Sequence, residues 1–117
     1  MRWWLARVLA PLCLVFLACG PRAVQLSDRG GRLKVVPASA VANCEFIQIV
    51  TSQVGTNFKS YEDNVPLAVN DNRNKAAAAG ATHMVLGTPE RDYGGTMGGG
   101  RCENCVLINS NVYRCRK

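Results

Sequence analysis

The chain has 117 residues, a formal net charge of +6, and 48% hydrophobic residues. That length sustains one small domain with a modest core, which excludes a large cleft between two lobes. Arg2, Arg7 and residues 20–40 (Arg22, Arg29, Arg32 and Lys34 against Asp28) hold nearly all the excess charge. Residues 41–117 keep about +1 and no basic stripe with interleaved aromatics, so nucleic acid is not an expected partner.

The chain opens on two arginines, Arg2 and Arg7, followed by an apolar run from Val8 to Ala18. A cationic start orients such a segment during export, and the run is shorter than the roughly 20 apolar residues a spanning helix needs. Phe16-Leu17-Ala18-Cys19 resembles the bacterial lipobox, with Phe16 where that pattern usually has Leu. Residues 1–18 are therefore expected to be a signal peptide, and Cys19 the lipidated first residue of the mature chain. Gly20 rather than Asp follows the cysteine, which points to the periplasmic face of the outer membrane. The alternative is an ordinary cleaved signal peptide and a soluble periplasmic protein.

Residues 20–31 lack periodicity and read as a tether, so residues 19–40 are assigned to the lipidated cysteine and tether, and 41–117 to the domain. Leu33–Val36 suits a short strand ended by Pro37. Cys44–Val50 is rich in β-branched residues and reads as a strand buried on at least one face. Residues 51–63 are polar and read as a loop. Asn64 is a suitable helix N-cap with Pro66 in the first turn. Val65, Val69, Asn72, Ala76 and Ala79 then mark one helical face, made thin by Ala76–Ala79 so that it can lie close on a sheet. Gly80 supplies a left-handed stop, and Thr82–Leu86 reads as the next strand.

Residues 87–101 contain six glycines and are expected to form a mobile loop. Cys105–Ile108 and Asn111–Tyr113 read as a hairpin with its turn near Asn109-Ser110. These elements predict an α+β domain: one helix packed on a small sheet of four to five short strands.

Beyond Cys13 and Cys19, the even count of Cys44, Cys102, Cys105 and Cys115 in an exported domain reads as two disulfides, for which sequence allows three connectivities. Cys102-Glu103-Asn104-Cys105 is also a CxxC motif. In a redox enzyme its first thiolate sits at a helix N-terminus. Here a glycine loop precedes it and a strand-like run, Val106–Ile108, follows, so a structural bridge is the expectation and a thiol oxidoreductase the alternative. The same cysteines with His83 form a weaker zinc candidate, because export to an oxidising compartment and a single CxxC oppose it. His83 itself reads as a surface or packed histidine. Gly94-Gly95 and Gly98–Gly100 lack the Walker and dinucleotide spacings. The carboxylates Glu62-Asp63 and Glu90/Asp92 have no partner base in sequence, so no catalytic residue, metal or cofactor is expected.

Arg73-Asn74-Lys75-Ala76-Ala77, with Gly80-Ala81 and Val85 after it, a cysteine-headed strand at Cys44 and the terminal Tyr113-Arg114-Cys115 resemble a family of small bacterial lipoproteins of unknown function. That family is remotely similar in plan to the outer-membrane stress-sensor lipoprotein RcsF. The resemblance covers roughly residues 41–117. It implies an α+β domain with two bridges between non-consecutive cysteines, which by order along the chain pairs Cys44 with Cys105 and Cys102 with Cys115. The long proline-rich tether of the sensor has no counterpart in residues 20–40.

The expected function is a non-enzymatic cell-envelope lipoprotein with a binding, sensing or structural role. Its partners would be the membrane, reached through the lipid anchor, and an envelope protein. The alternative is a periplasmic thiol-disulfide oxidoreductase using Cys102 and Cys105.

Overall fold

The computed structural model describes residues 24–56, 58–94 and 101–116. The expected signal peptide (residues 1–18), Cys19 and the glycine-rich stretch 95–100 lie outside the described residues. Chain order runs α1 (Asp28–Arg32), β1 (Lys34–Val35), a 3-10 turn (Ala38–Val41), β2 (Glu45–Val54), α2 (Tyr61–Ala78), β3 (His83–Val85), β4 (Glu90–Arg91) and β5 (Val106–Arg114). The strands form one mixed sheet in the order β1-β3-β5-β2, with β4 also paired to β5. The fold is thus α+β, with one main helix on a five-stranded sheet. Strand β1 runs parallel to β3, while β2, β3 and β4 all run antiparallel to β5. Hence β2, α2 and β3 make a parallel crossover with β5 inserted between the two strands.

The hairpin expected near Asn109-Ser110 is one continuous strand. Along β5, Val106, Ile108, Ser110 and Val112 are all buried, while Leu107, Asn109, Asn111 and Tyr113 alternate with them and are half-buried or exposed. This strict period of two keeps Asn109 and Ser110 in the ladder despite their turn propensity. Strand β2 likewise runs four residues past the expected end at Val50, because Ser52 pairs with Ile108 and Val54 with Val106. A bulge between Phe46 and Gln48 leaves Ile47 without a partner on β5 and resets the alternation. Ile47 packs against the core, while Phe46 is 52% and Ile49 59% exposed.

Helix α2 begins one turn before the expected start. Ser60, not Asn64, is the N-cap: its hydroxyl accepts from the Asp63 N–H at 3.1 Å, with Glu62 and Asp63 in the first turn. Pro66 therefore lies in the second turn, on an exposed position. The expected face is otherwise present, since Val65, Val69, Asn72 and Ala76 join Ala68 toward the sheet. At the other end Gly80 (φ +84°) closes a paired cap: its N–H donates to the Ala77 carbonyl and that of Ala81 to the Ala76 carbonyl. The chain then enters β3 directly, as the sequence suggests.

The largest departure is at the beginning. Residues 24–36 are not a free tether. Ser27 caps the short helix α1 by accepting from the Gly30 N–H, and α1 lies against α2. Leu33 enters the core with Val50, Ala76, Met84 and Val112. Gly30 is what permits this approach, because a Cβ there would stand 2.5 Å from Asn74 Oδ1. The domain thus begins near residue 24 rather than 41.

Candidate functional site

The four cysteines form two bridges, Cys44–Cys115 and Cys102–Cys105. This corrects the pairing implied by the family resemblance, Cys44 with Cys105 and Cys102 with Cys115. The physical reason is the length of β5. Cys105 immediately precedes this nine-residue strand and Cys115 immediately follows it, so they stand about 30 Å apart. Cys44 precedes β2, whose first residue Glu45 pairs with Arg114, and it therefore meets Cys115. Strand β2 carries the chain away from Cys105, so Cys44 cannot reach it. The two bridges close opposite ends of the sheet, and a four-cysteine metal site is not assembled.

The CxxC turn is packed, not presented. Cys102 and Cys105 are 4% and 3% exposed. The Cys105 sulfur lies 3.4 Å from the Gly55 carbonyl oxygen, whose partial charge opposes a thiolate. Asn64, buried in the second turn of α2, donates to the Thr56 and Asn104 carbonyls and ties the turn to the helix and to the end of β2. Arg91 donates to the Glu103 carbonyl while its guanidinium stacks 4.4 Å from the Tyr61 ring centre. The motif opens a strand, not a helix, so its sulfurs have no helix N-terminus of their own.

The residues of the family-like motif all bind backbone. Arg73 donates to the carbonyls of Gly30, Gly31 and Leu33, the otherwise orphaned end of α1. Asn74 accepts from the Ser27 N–H and donates to the Gln25 carbonyl. Lys75 donates to the Thr51 carbonyl and pairs with Asp71 at 3.0 Å. Arg73-Asn74-Lys75 is thus a set of clamps that hold residues 25–33 and β2 onto α2.

These clamps assemble a surface that the sequence reading missed. Arg29, Arg32 and Lys34 come together with His83 around a groove of about 290 Å³, lined also by Leu33, Ala81, Thr82 and Cys115. His83 Nδ1 lies 2.8 Å from Thr82 Oγ1, and the same hydroxyl accepts from the Cys115 N–H. His83 is half-buried, between Lys34 and Tyr113 in strand register. It shares no site with Cys102 or Cys105, which lie at the far end of β5. Of the carboxylates, Glu62 and Asp63 sit in the first turn of α2, where they offset the helix dipole, and Glu90 is exposed on β4. Among the described residues, no group of three or more His, Cys, Asp or Glu side chains is placed to hold a metal.

No curated protein and no solved structure matches the chain. A family model, the domain of unknown function DUF4156, matches residues 24–115. That match begins where the clamped segment begins and ends at the cysteine that closes the sheet. The chain belongs to the DUF4156 family.

Proposed function

We propose that the chain is a non-enzymatic lipoprotein of the cell envelope, held at the periplasmic face of the outer membrane by a lipid on Cys19, with a binding, sensing or structural role. The observation that carries this reading is the pair of disulfides behind an export-type leader. Disulfide bridges persist in an oxidising compartment and are rare in a reducing one. The described residues and the family match both start at residue 24, five positions after Cys19. That is at most about 17 Å of chain, and the domain would ride close to the bilayer surface. The exposed Phe46 and Ile49, on a sheet face that carries no helix, support an envelope protein as a further partner. The sensing role draws on the resemblance in plan to RcsF, whose implied cysteine pairing this fold does not share.

Labelling with palmitate in intact cells, followed by fractionation, tests the reading. The wild type should carry label in the membrane fraction, and Cys19→Ala should lose the label and move to the soluble fraction. Label-free wild type that is already soluble would favour the unanchored periplasmic alternative.

The second reading, a thiol-disulfide oxidoreductase, gains one specific support: the CxxC cysteines are bonded to each other. Burial of both sulfurs and the facing Gly55 carbonyl weigh against it. Differential alkylation after mild dithiol treatment separates the two. Cys102 and Cys105 stay blocked in a structural bridge and become labelled in a redox-active one.

A further inference from the structure

Residues 24–34 meet α2 along its outer side and carry their charge with them. Val24 accepts from Asn70 Nδ2, and Arg29 donates to the Ala77 carbonyl, so the segment advances about two helical turns, or roughly 10 Å, between those contacts. Arg29 and Arg32 line two adjoining depressions, the groove with Lys34 and His83 and a second of about 350 Å³ with Ala77, Gly80 and Ala81. Together they form one basic band. Among the described residues, no carboxylate lies within 4.0 Å of Arg29, Arg32 or Lys34, and the ion pairs Lys75–Asp71 and Arg114–Glu45 involve none of them. At the end of α2 the Lys75, Ala76 and Ala77 carbonyls accept from the N–H groups of Ala79, Ala81 and Gly80, and that of Ala77 also from Arg29. Arg32 donates its Nε to the Asp28 carbonyl, which orients the guanidinium and leaves its terminal N–H groups for a ligand.

We infer that this band is a docking surface for the phosphates of anionic phospholipid headgroups. Two observations select that occupant. The charge complements a phosphate-rich surface, and the segment leading back to Cys19 joins the domain on this same side, within about 17 Å of chain. The inference deepens the lipoprotein reading by fixing which part of the domain meets the bilayer: the edge where α1 runs into β1 beside β3. It does not require the lipid itself, because headgroup attraction acts on the domain directly, at about a fivefold gain in binding per cation.

The test is vesicle flotation of the full chain carrying Cys19→Ala, with phosphatidylcholine alone and with about one-third phosphatidylglycerol added. Binding to phosphatidylcholine alone measures any contribution of the leader. Against that baseline, the phosphatidylglycerol-dependent part should fall roughly 10- to 30-fold in Arg32→Gln/Lys34→Gln and further in Arg32→Glu/Lys34→Glu. Neither side chain ties α1 to α2, so both variants should keep the parent's cooperative melt. Lys59→Glu changes the charge by the same two units at an exposed position before α2 and should bind as the parent does. Equal losses from Arg32→Gln/Lys34→Gln and Lys59→Glu, or no response to phosphatidylglycerol, would overturn the docking surface. So would capture of inorganic phosphate without vesicle binding. Failure of the anchor is read separately: unlabelled Cys19 with groove-dependent flotation removes the lipid and keeps the surface, and labelled Cys19 with indifferent flotation does the reverse.

Discussion

Asn72 is fully buried, and its amide nitrogen lies 3.0 Å from Ser52 Oγ, 3.3 Å from the Val50 carbonyl and 3.5 Å from that of Ile108. A polar side chain at the centre of so small a core costs desolvation, which these bonds offset on the nitrogen, while Oδ1 is buried without a partner among the described residues. Asn72→Leu should therefore destabilise by about 1–3 kcal/mol in urea unfolding although leucine is the more apolar residue, because Ser52 loses its donor. Adding Ser52→Ala should give a double variant less destabilised than the two single losses predict together. Strict additivity would mean that the pair is not coupled. Gly80 is the complementary case, where absence of a side chain is the requirement. Its φ of +84° is strained for any β-branched residue, and a Cβ would stand 2.9 Å from an Arg114 guanidinium nitrogen. Gly80→Val should lower stability by about 1–3 kcal/mol, and an unchanged melting temperature would remove the proposed cap. Gly80 was legible from its place after four alanines. Asn72 was legible as a core-facing position but not as a polar one, since its acceptors come from strands distant in sequence.

At the scale of elements, the sequence signals that succeeded are those whose local chemistry and tertiary context agree. The alanine-rich end of α2, its glycine stop and the strand after it all follow one another without competing alternatives. The failures share one cause, a local preference overruled by packing. Asn109-Ser110 has turn propensity, yet Ser110 is buried and its hydroxyl accepts from the Gly87 N–H, while Thr51 Oγ1 donates to Asn109 Oδ1 across the ladder. Gly30-Gly31 disfavours a helix, yet the glycines let α1 reach Asn74. The basic groove was invisible for the same reason, since all three of its Arg and Lys residues lay in an apparent tether. The bridges obey a constraint of the same kind, strand length, that no cysteine spacing expresses. Their effects should differ. Cys44–Cys115 spans 71 residues and Cys102–Cys105 only 3. By chain entropy the long bridge should contribute about 4 kcal/mol and the short one about 2. Cys44→Ala/Cys115→Ala should thus be the more damaging pair in denaturant unfolding. A larger loss from Cys102→Ala/Cys105→Ala would assign the CxxC turn a packing role beyond chain restriction.

For the whole molecule, the decisive boundary is where the domain begins. If residues 24–40 were a tether, their removal would leave the fold unchanged. In the structure that removal strips β1 from the edge of β3, takes Leu33 out of the core and leaves Arg73 without its three carbonyl partners. Burial of Leu33 alone is worth about 1.5–3 kcal/mol, a large share of the stability of a domain this small. A chain of residues 24–117 should therefore unfold cooperatively, while one of residues 41–117 should melt at least about 10–20 °C lower or without cooperativity. Circular dichroism of the two fragments decides it. Equal melting temperatures would restore residues 24–40 to the tether and detach the basic groove from the domain. A wide gap would make residues 24–40 part of the cooperative unit, with the basic groove built on the same elements that hold Leu33 in the core.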